Sequence, residues 1–366
     1  MKIRSVETFR VRVPLKKPFK TALRTLTVSD SVIVRITDEE GCTGYGEAPP
    51  THVITGDSLA GIEEAINGII APQCLGQSLL DRENLLHTIN TAMVRNTSAK
   101  AAVDCAIYDL LAQYAGMPLY QFLGGAADAF DTDYTVSVNE PEEMAEDAKQ
   151  FNQDGFSVLK IKVGIGAIED DLKRIRAIRE KTDCTLRLDA NQGWTAKEAV
   201  YAISRMEDEG LNIELVEQPV KAHDIKGLKY VTDHTYTPIM ADESVFSPQD
   251  AIRVLEMRAA DLINIKLMKA GGIHQALIIA KLAEAYDIPC MTGSMIETKV
   301  GISAAAHFAA SQRIITRYDF DAPLLLAEDI VDGGVQFDRA RMTFSEAAGL
   351  GIESIKDHAV IGRGQA

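Results

Sequence analysis

From Asp131 onward the chain alternates between two kinds of segment, and this regularity constrains the fold more than anything else in it. Eight short apolar runs, TDYTVSV, VLKIKVG, TLRLDAN, ELVEQP, PIMADES, LINIKL, PCMTGSM and TRYDFDAP, are separated by amphipathic stretches such as EEMAEDAKQFNQDG and IEDDLKRIRAIREK. Strands alternating with helical patterns predict parallel pairing with helical crossovers. Eight strands with seven intervening helices predict an α/β fold, a (β/α)7β variant of the TIM barrel. A doubly wound open sheet is the alternative. It would be expected to carry a Gly-rich phosphate loop after its first strand, and TVSVNEPEE is not one.

The first part of the chain reads differently. VETFRVRVPL and SVIVRITD alternate as strands, CTGYGEAP supplies a third, and helical patterns follow from about Ser58, Leu79 and Ser98. The segment PLKKPFKTALRTLTVSD, between the first two strands, is long, basic and Thr-rich. It is expected to be a mobile or substrate-facing loop rather than a tight hairpin. The predicted organisation is an α+β capping domain over 1–130 and a barrel over 131–323. The tail, 324–366, carries no helix comparable to the others and is expected to return to the capping domain.

A length of 366 residues is ample for two domains, and 46% hydrophobic with 25% charged residues is ordinary for a soluble protein. The net charge of −15 argues against nucleic acid. No stretch reaches the ~18 apolar residues of a membrane span, and no apolar region follows the early basic residues as in a signal peptide. Cys42, Cys74, Cys105, Cys184 and Cys290 are scattered without CxxC spacing, which predicts reduced core thiols and a cytoplasmic setting. A homo-oligomer is expected.

Chemistry-bearing residues recur at the ends of the predicted barrel strands, where functional groups of such barrels collect. Asp189, Glu217, Asp242 and Lys266 follow one another at intervals of roughly one strand–helix unit. Lys160 and Lys162, two apart in a strand, point the same way, into a barrel interior where unpaired lysines are costly. Three carboxylates with no basic partner between them call for a divalent cation, and oxygen ligands favour Mg²⁺. Lysines beside such an ion suit removal of the weakly acidic proton next to a carboxylate. Lys266 falls four strands beyond the Lys160/Lys162 pair, across the barrel mouth. Bases on opposite faces of one carbon permit epimerisation or racemisation.

These residues resemble those of the enolase superfamily, muconate-lactonising subgroup, and within it the dipeptide epimerases of the L-Ala-D/L-Glu type. The resemblance spans nearly the whole chain. It implies that the KIK at 160–162 is the family's KxK, that Asp189, Glu217 and Asp242 bind one Mg²⁺, and that Lys266 is the opposing base. By the same resemblance Lys162 serves the L centre, Lys266 the D centre, and Lys160 tunes Lys162. Asp319 and Asp321 in RYDFDAP match a DxD that binds a dipeptide's ammonium. Arg24 matches an arginine that meets a glutamate side chain. Ser294 and Ile296 in SMIET would line the site, with Thr135 and Ser137 weaker candidates and His52 a position that could alter the preferred dipeptide.

The expected reaction is two-base 1,1-proton transfer at the α-carbon of the C-terminal residue of a dipeptide. The alternative is an o-succinylbenzoate synthase, N-acylamino acid racemase or cycloisomerase on the same scaffold. A Schiff-base aldolase and a non-catalytic binding barrel are further alternatives. His307 and Trp194 read as packing groups.

Overall fold

The computed structural model describes residues 1–125 and 127–366. Its N-terminal sheet begins with two long antiparallel strands, β1 (Ile3–Lys20) and β2 (Thr25–Asp38), followed by β3 (Thr43–Ala48). The expected loop between the first two strands is instead a hairpin. Pairing lapses after Pro14↔Val28 and resumes at Phe19↔Leu26 and Lys20↔Thr25. Thr21 makes this turn possible. Its N–H donates to Arg24 O at 3.0 Å, and its hydroxyl accepts from the N–H groups of Leu23 (3.2 Å) and Arg24 (3.3 Å). Such side-chain-to-backbone bonds mimic a turn, so a Thr-rich stretch without Gly or Pro at its tip can still reverse the chain.

The Ala-rich helix Thr97–Tyr114 is almost wholly buried against β3. The approach is very close. A Cβ on Gly46 would lie 1.9 Å from Ala102 O, and one on Gly44 would lie 2.2 Å from Ala106 O, so only glycine fits at either position.

After the short β4 (Ala129–Asp131) come the eight barrel strands. They are β5 (Tyr134–Val136), β6 (Val158–Lys162), β7 (Thr185–Asp189), β8 (Ile213–Glu217), β9 (Ile239–Ala241), β10 (Leu262–Ile265), β11 (Cys290–Gly293) and β12 (Ile315–Asp319). They pair in parallel in sequence order, and all eight coincide with the apolar runs read from the sequence. The seam between β12 and β5 is bridged by Asp133 N–H to Tyr318 O (3.3 Å) and Phe320 N–H to Thr132 Oγ1 (2.8 Å). Amphipathic helices lie between the strands, and one extra turn, Leu267–Ala270, follows β10 directly. Leu159, Ile161 and Val163 face the helices and are fully buried. Leu215, Met240, Leu262 and Met291 form a separate apolar cluster at the base of the barrel interior.

The tail contains β13 (Val331–Gly333), β14 (Gln336–Asp338), β15 (Arg341–Thr343), β16 (Ile352–Ile355) and β17 (Val360–Gln365). β17 joins the N-terminal sheet in the order β17-β1-β2-β3, and β15 pairs with β4. The N-terminal sheet is clasped to the barrel by Glu47 of β3. Its carboxylate accepts from Thr298 N–H (2.9 Å), Thr298 Oγ1 (2.6 Å) and Gly301 N–H (2.9 Å) at the start of helix Lys299–Ser311. A carboxylate there also meets the positive end of the helix dipole. All five cysteines are free, and among the described residues no helix is long and apolar enough to cross a membrane.

Candidate active site

Strand register brings the lysines and acids together. Lys160 and Lys162 project from β6 into the barrel, and Lys162 is the direct partner of Asp189 on β7, which itself neighbours Glu217 on β8. Lys162 Nζ lies 2.6 Å from Asp189 Oδ2. Lys160, only 2% exposed, is held by Asp189 Oδ2 (3.1 Å), Glu217 Oε2 (2.7 Å) and Asp319 Oδ2 (2.8 Å). Across the barrel Lys266 Nζ is 3.0 Å from Asp242 Oδ2. The expectation that no basic group stands between the three acids is therefore corrected. Lys160 sits between two of them, because parallel strands in register put the second lysine of KxK level with Asp189 and the first one step deeper in the same interior.

Above this charged layer is a cavity closed by the first hairpin. Phe19, Thr21, Leu23 and Arg24 line it from above, Thr135, Ser294, Met295 and Ile296 from the sides, and Lys160, Lys162, Lys266, Asp319 and Asp321 from below. Ile296 is fixed from the capping side by Ser29 Oγ, which donates to its carbonyl at 3.0 Å. Asp321 accepts the Thr135 N–H at 2.7 Å. Asp319 and Asp321 face the same way, as their spacing predicts, but Asp319 is already paired with Lys160. Arg24 makes no ion pair among the described residues, and burial holds its guanidinium below its ordinary pKa. Ser137 lies outside this cavity, accepting from Lys20 N–H at the hairpin (3.4 Å). His52 is exposed and lines an adjoining groove with Arg24, while Val53 and Ile54 of the same loop face the cavity.

The electrostatics carry a clear imbalance. Buried acids at the site are Asp133, Asp189, Glu217, Asp242, Glu243, Asp319 and Asp321, against the buried cations Lys160, Lys162, Arg187, Lys266 and Lys269. Full ionisation leaves an excess of two negative charges. Burial would raise Asp189, but Lys162 and Lys160 outweigh it and hold the acid at about 2. Glu217 is pushed up to about 7 by burial and by Asp189. Glu243 is pushed up to about 8 by burial, Asp242 and Asp189, and its Oε2 has no hydrogen-bond partner. Burial and Asp319 raise Asp321 to about 7. An all-oxygen donor set that would carry two excess negative charges when fully ionised, with an orphaned oxygen on Glu243, suits a hard divalent cation.

Several residues that shape the site are not singled out by the sequence reasoning. Asn264 Nδ2 donates to Glu217 Oε1 at 2.7 Å. Arg187 pairs with Asp133 (3.0 Å) beneath the seam. Lys269, 1% exposed, lies 2.6 Å from Asp242 Oδ1. Burial lowers its pKa despite that contact. Asn264 could have been found from NIKL, since it is two residues before Lys266 on the same strand face. Trp194 and His307 are packing groups as expected. The indole donates to Asp171 (3.1 Å), and His307 Nδ1 accepts from Tyr120 N–H (3.0 Å).

A barrel with a KxK strand, acids on the next three strands, a lysine opposite and an antiparallel cap defines a class of enzyme. Residues 3–124 match the mandelate racemase / muconate lactonizing enzyme N-terminal domain, and residues 143–358 match the enolase C-terminal domain-like family. The chain belongs to this family of the enolase superfamily and is an isomerase of the racemase and epimerase class. More particularly, it is 59% identical to the L-Ala-D/L-Glu epimerase of Bacillus subtilis, over 96% of this chain and 97% of that one. The substrate-liganded structure of the B. subtilis epimerase superposes with a TM-score of 0.96 at 58% identity, covering 97% and 99% of the two chains. The dipeptide epimerase of Enterococcus faecalis V583, solved with Mg and L-Leu-L-Tyr, superposes at 0.94 with 47% identity, covering 97% and 100%.

Proposed function

We propose that the chain is a Mg²⁺-dependent dipeptide epimerase that inverts the α-carbon of the C-terminal residue, with L-Ala-D/L-Glu as its substrate. The single observation carrying the acidic preference is Arg24, an unpaired guanidinium in the cavity that also receives Lys162, Lys266, Asp319 and Asp321. A planar fork suits a side-chain carboxylate. The similarity to relatives that act on dipeptides supports the broader reading.

In this reading Asp189, Glu217 and Asp242 hold the cation. Bound there, it supplies electrostatic stabilisation for charge that develops on the substrate carboxylate. Lys162 on β6 and Lys266 on β10 stand four strands apart in an eight-stranded barrel, so they approach one carbon from opposite faces. For the L isomer Lys162 removes the α-proton as a neutral amine, and Lys266 delivers one as an ammonium. For the D isomer the roles exchange. Lys160 fixes Asp189 and Glu217 from below and adds positive charge beside Lys162. Asp321, with Asp319, receives the substrate ammonium, a pairing that an N-acylated substrate could not make and that its acidic cap would oppose. Thr135, Ser294 and Ile296 shape the walls, and the hairpin excludes water.

We further assign residues 1–130 and the returning tail, 324–366, to a capping unit that sets specificity, and 131–323 to the catalytic barrel. The unpaired thiols favour a cytoplasmic setting. The test is turnover of L-Ala-L-Glu, L-Ala-L-Leu, L-Ala-L-Lys and N-succinyl-L-Glu with Mg²⁺. The account predicts preference for the glutamate dipeptide. A preference for the succinylated compound would favour the N-acylamino acid racemase instead.

A further inference from the structure

Two buried carboxylates meet where the N-terminal sheet docks on the barrel. Glu47 of β3 and Glu297, which follows β11, are 4% and 5% exposed. They converge over Gly301. A Cβ there would lie 2.2 Å from Glu297 Oε2 and 3.2 Å from Glu47 Oε2, so only glycine leaves them room. Glu47 is committed as an acceptor, from Thr298 N–H, Thr298 Oγ1 and Gly301 N–H. Glu297 Oε1 accepts the N–H of Met295 at 2.8 Å, and so folds back on the segment Ser294–Ile296 that walls the catalytic cavity. The charged and titratable groups facing Glu297 are Glu47 from β3, Lys266 from the end of β10 and Cys105 from the buried helix Thr97–Tyr114. Among the described residues neither carboxylate pairs with a cation, since Lys266 is taken by Asp242 and Lys299 by Asp329 (2.8 Å). Two such carboxylates cannot both stay charged in a dry interface. Glu47, with three donors, is the better-stabilised anion, which leaves the proton on Glu297.

We propose that Glu297 is a positioning residue that, as a neutral acid beside the Glu47 carboxylate, fixes the cavity wall Ser294–Ile296 and couples its placement to the docking of the cap. The wall is then held at three points: Ile296 O by Ser29 Oγ, Met295 N–H by Glu297, and Thr298 by Glu47. Two of the three come from the N-terminal sheet. Burial and the Glu47 charge push the Glu297 carboxyl up to about 8. The docked interface therefore keeps a proton that a freed, solvated Glu297, with an ordinary carboxyl near ~4.3, releases. The hold on the wall is strongest below the ordinary carboxyl range and weakens as pH rises towards 8. The inference rests on the proposed dipeptide reading for what the wall receives, but not for the proton itself.

The experiment uses full-length protein with Mg²⁺ present, as wild type, Glu297→Gln and Glu297→Ala, between about pH 6 and pH 9.5. Infrared difference spectra of wild type against Glu297→Gln read the proton directly. Wild type is expected to show the carbonyl band of a protonated carboxyl that the variant lacks, and to lose it with a midpoint near 8. KM and kcat for L-Ala-L-Glu read the wall. Glu297→Ala, which loses the Met295 bond, is expected to raise KM about tenfold with kcat little changed, one buried hydrogen bond being worth about a decade. Glu297→Gln still accepts from Met295 and can donate to Glu47, so it should restore KM at pH 6 and hold it at higher pH. Wild-type KM should climb towards pH 8 and then level. Absence of the protonated band at pH 6, parallel KM profiles for wild type and Glu297→Gln, or a Gln variant as impaired as the Ala variant would each overturn the proposal. If wild type turns over no dipeptide, the dipeptide reading fails and the infrared titration alone decides the place of the proton.

Discussion

Lys162 and Asp189 are register partners on adjacent parallel strands, and their side chains meet at 2.6 Å inside the barrel. Across the mouth Lys266 meets Asp242 at 3.0 Å. Each proposed base is thus tied to a proposed metal ligand, and the two pairs stand on opposite walls of one cavity. Replacing either lysine should therefore affect one face only. Lys162→Ala is expected to abolish α-proton exchange from L-Ala-L-Glu while leaving exchange from L-Ala-D-Glu, and Lys266→Ala should do the reverse. Neither should epimerise. Proton NMR of each isomer in D₂O reads both results, and near-normal epimerisation by Lys266→Ala would remove it from the mechanism.

Arg24 should govern the acidic side chain. A charged, bidentate contact shielded by the hairpin contributes ~2–3 kcal/mol. At ~1.4 kcal/mol per decade this corresponds to roughly 30- to 150-fold in kcat/KM. Arg24→Met is expected to reduce turnover of L-Ala-L-Glu by about that factor and to leave L-Ala-L-Leu unchanged or improved. A uniform loss on both dipeptides would show that Arg24 supports the hairpin rather than the substrate.

The barrel strands and the lysine and acid positions were legible because each rests on a local pattern. Apolar runs marked the strands, and spacing marked their ends. The hairpin was not legible, because its turn depends on Thr21 bonding its own backbone, with neither Gly nor Pro at the tip. The pairing of Lys160 with Asp189 and Glu217 was hidden for a different reason. It depends on which residues of neighbouring strands lie level, and spacing along the chain does not report register. Lys269 was missed because its partners, Asp242, Val245 and Asn264, come from two other segments.

Glu47 should contribute to stability through the clasp between sheet and barrel. Its carboxylate accepts three hydrogen bonds at the start of helix Lys299–Ser311. Leaving those buried donors unsatisfied costs about 1–3 kcal/mol. Glu47→Ala is expected to lower the midpoint of urea denaturation accordingly, and to weaken substrate binding because Ser294 and Ile296 precede the helix directly. An unchanged midpoint would contradict the clasp.

Asp104 gives a pH dependence away from the site. Burial pushes its carboxyl up to about 8, and the N–H groups of Ile273 and His274 offset this only in part. The folded state therefore retains a proton that the unfolded chain, with an ordinary carboxyl near ~3.9, releases. Its contribution is most favourable below pH ~4 and is lost as pH rises towards 8. Asp104→Asn, which cannot ionise, should flatten the wild-type decline in stability between pH 5 and 8, measured by urea denaturation at several pH values. Parallel curves for the two proteins would show that the carboxylate is stable in place.

The central claim is that the buried carboxylates hold a divalent cation against which the two lysines work on a dipeptide. Its most direct test follows L-Ala-L-Glu in D₂O by NMR and mass spectrometry, with metal-free protein and then with Mg²⁺ restored. The account predicts no reaction without metal. With Mg²⁺ it predicts a single deuterium at the glutamate α-carbon and equilibration of the L,L and L,D isomers. Full activity in the metal-free sample, or no exchange from any dipeptide with Mg²⁺ present, would contradict it.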